Sequence, residues 1–456
     1  MEISNYRIVM PANPGHTERR AAAFLQQQIR IVRGVKIPIV TDETEPRDYE
    51  FVIGRTTREA FDGVVFERCL DTPWEYVIKT VGTRVYLTGM GALDTAEKPY
   101  NSAYTLMYDN ANATAYAVYR YVEEVLGYNF SYLDWEGFPT CDKLDVPEYN
   151  YEFTREVLRK QEVELFDGAA LYSIPSCETV NWNNFCMILK SKAGKIVVID
   201  GGRPDNAERL LSSLERLSGG KKPVVDAWFL THLHSDHYGA LLEIVRHEEM
   251  RDRVTIKNFY HNILPVKYYD TYPAPKNETW GGICKDLLSS DALTGANHVV
   301  VNTGDKIVVD EFTFDIIHAP YFKDMYDMGI NDSSVIIRLD YNNGEQSIMF
   351  LADAEWVCSN DLTENFPDKI KSDIVQVGHH GCGNVSKKCY EKIGAKVYIW
   401  PTCQRNWYGD NSEGLQTYNI GVLRTRTYMK ELGIKNENIY RDSLGILSFK
   451  LPIEIK

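Results

Sequence analysis

Three of the ten histidines in this 456-residue chain fall within six consecutive positions, together with an aspartate: His232-Leu233-His234-Ser235-Asp236-His237. The run follows the apolar segment Val224 to Leu230, which reads as a strand delivering Thr231 and the histidines at its end. Neutral imidazoles and a carboxylate suit zinc, manganese or iron, and close spacing in a loop lets several of them reach one point. The plainer alternative is a polar turn whose histidines cap and solvate. A core does not otherwise gather four such groups.

Two later segments offer further ligands. Leu351-Ala352-Asp353-Ala354 puts a carboxylate at the end of an apolar strand, where it can bridge two metals. Taken alone it reads as a turn residue. Val377-Gly378-His379-His380-Gly381 puts a histidine pair after another buried strand, and alone it fits a loop histidine equally well. Three strand ends feeding one face favour metal binding for all of them. His318, in Ile317-His318-Ala319-Pro320, reads as structural.

The chain is longer than one hydrophobic core usually serves, so two domains are expected, with a boundary near residue 155 (1–155 and 156–456). In the first, Thr17 caps a helix through Arg33 with Gly34 as its stop. A strand follows at Glu50 to Gly54, then a hairpin around Gly82-Thr83 and an amphipathic helix from Ala115 to Leu126 ending at Gly127. The pattern loosens at Asp134 to Pro139. Beyond it lie a buried hairpin (Asn184–Leu189 and Ile196–Asp200), a helix from Asn206 to Leu217, and late strands at Ser334–Leu339, Ser347–Leu351, Ile374–Val377 and Val397–Trp400. This is an α/β chain with a β-rich core.

Charge narrows the partners. A formal net charge of -14 argues against long nucleic acid, which relies on basic stripes, while a small anion can still bind where metals supply positive charge. The basic cluster Lys387, Lys388, Lys392 and Lys396 reads as a solvated helix face. Nine scattered cysteines without a C-x-x-C pair fit neither a disulfide framework nor a cysteine-rich zinc module. No basic stretch and apolar run opens the chain, and no segment is long enough to span a bilayer. A cytoplasmic location is the expectation, and a secreted chain whose leader had been removed would begin in the same way. The oligomeric state is not legible.

The first 140 or so residues resemble the N-terminal accessory domain of glycoside hydrolases of the β-hexosaminidase and α-glucuronidase type. The resemblance rests on the strand ending in Ile53-Gly54, the glycine hairpin, and the run Tyr116-Ala117-Val118-Tyr119 leading to Glu123, Leu126 and Gly127. It implies an association with carbohydrate and carries no catalytic residue.

Residues 160 to 450 carry, in order, "IDGG", "THLHSDH-x-G", "NDSSVIIRL", "FLADAE", "VGHHG" and "RNWYGD". This order resembles the metallo-β-lactamase domain of the competence protein ComEC and is similar to bacterial phosphorylcholine esterases of that fold. The resemblance implies a metallo-β-lactamase αββα sandwich and one or two Zn2+, Mn2+ or Fe ions per chain. It implies His232 and His234 on the first metal and Asp236 and His237 on the second, with Asp353 bridging. His379 would complete the second site, with His380 as the competing choice or a donor to the reacting oxygen. Asp200 would support the metal loop. The chain departs from many relatives where a further histidine is replaced by the Asn331-Asp332-Ser333-Ser334 stretch, so Asn331 or Asp332 is a substitute ligand for the first site. Asp410 stands where the ComEC pattern has a histidine.

Metals at such a site lower the pKa of water from about 15.7 toward about 7, which gives a hydroxide nucleophile at neutral pH. Asp236 would orient it, and His380 and Tyr408 are the donors to developing charge. The expected function is hydrolysis of a small phosphodiester, linked to a glycan, wall or lipid headgroup. A lactonase, amidase or β-lactam hydrolase is the alternative within enzymes. A carbohydrate-binding protein with a structural metal site is the alternative outside them.

Overall fold

The structure is a computed structural model and describes residues 2–66, 74–89, 113–127, 145–178, 182–288, 293, 295–320, 329–408 and 417–456. The stretch 134–139 and Asp410 lie outside the described residues. Two units separate: Met1–Lys160, and Gln161–Gly409 with Leu415–Lys456.

The first unit holds strands β1 (Arg7–Met10), β2 (Ile39–Thr41), β3 (Glu50–Ile53), β4 (Tyr76–Val81), β5 (Arg84–Gly89) and β6 (Asn150–Phe153) in the order β2-β1-β3-β5-β4-β6. Val81 pairs with Arg84, leaving Gly82-Thr83 as a two-residue hairpin loop with Gly82 at φ 58°. The helix His16–Arg33 starts behind Gly15 rather than Thr17, which is buried instead of turning back on the helix end; Gly34, left-handed at φ 67°, stops it. The helix Ala113–Arg120 runs on as a π-helical turn, Tyr121–Val125. Glu50 is buried under the guanidinium groups of Arg7, Arg58 and Arg84. Burial opposes its ionisation, but those three bonds hold its pKa below the usual range.

The second unit contains two sheets. One is built from β7 (Ala170–Ser173), β8 (Cys186–Lys190), β9 (Ile196–Asp200), β10 (Val224–Leu230), β11 (Thr255–Ile256), β12 (Asn258–His261), β13 (Asn297–Val300) and β21 (Leu447–Lys450), in the order β13-β12-β10-β9-β8-β7-β21 with β11 beside β10. The other runs β14 (Lys306–Val309), β15 (Phe312–His318), β16 (Ile336–Tyr341), β17 (Gln346–Phe350), β18 (Ile374–Gln376), β19 (Val397–Trp400) and β20 (Ile439–Arg441), each beside the next.

Side chains alternate across a pleated strand, so neighbouring residues join different cores. Leu189, Val197, Ile199 and Phe229 of the first sheet meet Phe314, Ile337, Leu339, Phe350 and Ile399 of the second. Ile188, Val198 and Trp228 face the other way, onto Leu210, Leu211 and Leu214 of the helix Ala207–Leu217 and Leu241 and Ile244 of the helix Ser235–Arg246. On the far side of the second sheet, Tyr398 packs against Tyr390 of the helix Lys387–Ile393. The layers therefore run helix, sheet, sheet, helix. Strands buried on both faces explain the uninterrupted apolar runs. Among the described residues no helix is long and apolar enough to cross a membrane.

Candidate metal centre

Parallel strands put their carboxyl ends on one edge, where open α/β sheets bind ligands. In the first sheet, β9 and β10 pair in parallel with Ile199 opposite Phe229, so Asp200 and Thr231 emerge together. In the second, β17, β18, β19 and β20 are mutually parallel. Asp353, the pair His379-His380, Thr402 and Asp442 follow their ends in turn.

Backbone strain is concentrated here. Asp200, Ala352, His379 and His380 all have φ between 45° and 59°, a left-handed conformation that residues other than glycine rarely adopt. Hydrogen bonds enforce it. Gln376 Oε1 accepts from Ala352 N, its Nε2 donates to the carbonyls of Ala352 and Val377, and His379 N donates to Ala352 O.

His232, His237 and His380 each have the outward nitrogen engaged. Asp200 accepts from Thr231 N and Thr231 Oγ1 (both 2.7 Å), and its Oδ2 lies 2.8 Å from His237 Nδ1. With its proton given to Asp200, Thr231 Oγ1 can accept from His232 Nδ1 at 3.1 Å. Pro401 O can only accept, so His380 Nδ1, 2.8 Å away, carries its proton. Phe185 stacks on the His237 ring at 5.1 Å and donates its N–H to Asp236 O. The lone pairs at Nε2 are thereby presented inward.

The Nε2 atoms of His232, His237 and His380 lie 3.8, 3.2 and 3.5 Å from Asp353 Oδ2. All three nitrogens and Asp353 Oδ1 are buried without a hydrogen-bond partner. Ligand atoms of His232, His234 and Asp353 come within 4.8 Å of one another, and so do those of Asp236, His237 and His380. Orphaned buried atoms are costly unless something binds them, and this donor set fits one or two divalent transition metals.

The electrostatics point the same way. Burial lowers the pKa of His232 well below its usual value, and that of His234 as well. Burial also works against protonation of His237, but Asp353 and Asp200 push it up to about 10; the carboxylates raise His380 likewise. Asp353 is held far below its ordinary range despite burial, by His237 and His380. Asp236 is held down similarly. The raised pKa values of His237 and His380 mark a place that calls for positive charge.

His380 rather than His379 joins the second trio. The His379 side chain turns to Glu355 instead, with Nδ1 3.1 Å from Oε1 and Nε2 3.2 Å from Asn331 Nδ2. Glu355 Oε1 also accepts from Asn331 and Asn384 at 2.8 Å each. Asp332 is spent elsewhere, accepting from Glu355 N and Cys358 N at the start of the helix Trp356–Asn365. His318 pairs with Asp361 at 3.0 Å. Tyr408 is buried, with the Arg441 guanidinium 5.4 Å from its ring. Glu355, Asn384 and Phe185 were not singled out from the sequence. The first stands in the "FLADAE" run and was overshadowed there by Asp353.

Comparison with solved structures gives fold-level likenesses at low identity. The metallo-beta-lactamase fold protein YhfI from Bacillus subtilis aligns at 10% identity and TM-score 0.37, covering 61% of this chain and 99% of that one. CmlA, a diiron beta-hydroxylase from Streptomyces venezuelae, aligns at 13% and 0.38, covering 63% and 55%. A possible metal-dependent hydrolase from Veillonella parvula aligns at 9% and 0.32, covering 61% and 98%. Comparison with curated proteins gives no match. Residues 181–310 match the family model described as the metallo-beta-lactamase superfamily, and the chain therefore carries a domain of that superfamily.

Proposed function

We propose that the chain is a metal-dependent hydrolase acting on a small phosphodiester. The observation that carries the metal-dependent part is the convergence of three imidazole Nε2 atoms on Asp353, all buried and none hydrogen-bonded. His232, His234 and Asp353 would hold one divalent ion, and Asp236, His237 and His380 a second, with Asp353 shared. Such ions supply Lewis acidity and acidify a bound water.

The protein's part is to fix geometry. Asp200 and Pro401 hold the tautomers of His237 and His380, and Phe185 stacks on the His237 ring. Asp236, half-buried at the first turn of its helix, would orient an attacking water. Tyr408 is the remaining donor for the leaving group. The phosphodiester class is supported by the resemblance to ComEC and phosphorylcholine-esterase domains, and a glycan-, wall- or lipid-linked substrate by the resemblance of residues 1–155 to glycoside-hydrolase accessory domains.

Elemental analysis of protein purified without chelator, coupled to a panel of chromogenic phosphodiesters, lactones and β-lactams with zinc and with manganese, tests this. One to two transition-metal ions per chain and phosphodiester turnover are expected. Protein that is metal-free and cannot be reloaded would refute the metal reading. Lactone or lactam cleavage without phosphodiester turnover would reassign the substrate.

A further inference from the structure

Asp442 is a buried carboxylate, 2% exposed, at the far edge of the same strand ends, and no step above uses it. Its two oxygens do different work. Oδ1 accepts from Thr402 N at 2.9 Å, in the loop that follows β19. Oδ2 accepts from Ser173 Oγ at 2.8 Å, at the end of β7 in the other sheet. The residue before Thr402 is Pro401, whose carbonyl receives His380 Nδ1–H. Trp400, one step earlier, donates its indole N–H to His380 O at 2.7 Å. Two consecutive residues, Trp400 and Pro401, thus carry the backbone and the ring of His380, and Asp442 anchors Thr402, the residue that follows them.

The arrangement parallels the one around Asp200. There a buried carboxylate grips Thr231 and, through its hydroxyl, the outward nitrogen of His232. Here a buried carboxylate grips Thr402 and, through the adjoining peptide, the outward nitrogen of His380. The difference is that Asp442 also ties the two sheets together. His232, His234, Asp236 and His237 come from the first sheet's edge, whereas Asp353 and His380 come from the second's. Any slip between the sheets at this edge would move His380 relative to Asp236 and His237.

We propose that Asp442 is a positioning residue that pins Thr402 to Ser173 and so aims His380 Nε2 at Asp236 and Asp353, completing the second of the two ion sites. This rests on the two-ion reading given above, and it differs in what it demands. Loss of Asp442 should weaken one ion and spare the other. Outer partners of metal-ligating histidines commonly account for about 10–100-fold in affinity, which sets the expected size.

The test is metal titration of purified full-length chain with zinc, comparing wild type with Asp442→Ala, Asp442→Asn and Ser173→Ala. Asp442→Ala should bind the first ion as wild type does and the second about 10–100-fold more weakly. Asp442→Asn keeps an oxygen for Thr402 N and should recover most of that loss. Ser173→Ala cuts only the link between sheets and should weaken the second ion by a smaller factor, which serves if Asp442→Ala does not fold. Nitrogen-15 spectra of the histidine rings in metal-free protein, assigned with His380→Gln, supply a second readout. In wild type the His380 Nδ1–H should be protected from exchange, and in Asp442→Ala it should not.

Equal affinity for both ions in folded Asp442→Ala or Ser173→Ala, with the His380 ring signal unchanged, would overturn the proposal. Failure of wild type to bind any ion would instead defeat the two-ion reading, and the ring signal would still decide whether Asp442 positions His380.

Discussion

An imidazole ligates through one nitrogen only when the other is told to keep its proton, so the useful question about each histidine is what its far side touches. His237 has Asp200, His380 has Pro401 O and His232 has Thr231. His379 has Glu355 on one nitrogen and Asn331 on the other, so neither is free. Replacing His380 with Ala should therefore remove one metal ion and lower its affinity by more than roughly 100-fold, beyond the range seen for outer partners alone. Replacing His379 with Ala should leave both ions in place. Metal stoichiometry by elemental analysis separates the two, and loss of an ion from the His379 variant would reverse the assignment. The sequence offered both histidines because "VGHHG" puts them side by side. It gave no means of choosing, because the choice is made by two successive left-handed residues that send the rings to different partners, 6.3 Å apart. Glu355 was equally hidden, since a carboxylate after "DA" has no signature until Asn331, His379 and Asn384, from two other segments, are in place.

At the scale of elements, what reads well from sequence is what burial dictates. Val224–Leu230 and Val397–Trp400 form strands over the expected spans, since apolar runs bounded by turn residues leave few other options. Ends are less legible. Ser334 lies before β16 because its hydroxyl instead meets Asp353 N and His232 Nδ1. The expected cap at Thr17 gave way to Gly15 because Thr17 is buried. The turn carrying the histidine pair is a case in which one glycine holds an element in place. Gly381 sits at φ 80°, and a Cβ there would approach the Trp400 ring to 2.1 Å. That ring cannot retreat cheaply, since its N–H is bonded to His380 O. Gly381→Ala combines overpacking with a disfavoured backbone and should destabilise the second unit by about 2–4 kcal/mol, with loss of metal. Gly394→Ala, at φ 67° but with nothing closer than 3.9 Å, should cost about 1 kcal/mol and leave metal binding unchanged. Urea unfolding followed by intrinsic fluorescence compares the two, and equal effects would mean that the Trp400 contact does not matter.

For the whole molecule the governing quantity is charge, which composition gives in full although its arrangement needs the fold. Sixty-four acidic residues against fifty basic ones leave a field that repels polyanions. The basic cluster singled out from the sequence does not reverse this. Lys388, Lys392 and Lys396 are exposed at and just beyond the helix Lys387–Ile393, and Lys387 is already paired with Glu431. Positive charge at the centre would therefore come from the bound ions, over a range limited to about 8 Å by screening at physiological salt. A short phosphodiester fits that range, and a long duplex placed at the same centre would carry most of its phosphates beyond it, against a chain of net charge -14. Fluorescence anisotropy with a labelled DNA duplex at physiological salt should accordingly show no tight binding. Turnover of a small chromogenic phosphodiester should proceed under the same conditions and change little as salt is raised. A polyanion held by many lysine and arginine contacts behaves otherwise, its affinity falling by about 10³–10⁵ between 50 and 200 mM salt. Rapid processive digestion of labelled DNA at physiological salt, with either zinc or manganese, would show that a basic path exists which the overall charge conceals. The resemblance to a competence-protein domain would then have been the better guide to substrate size as well as to bond type.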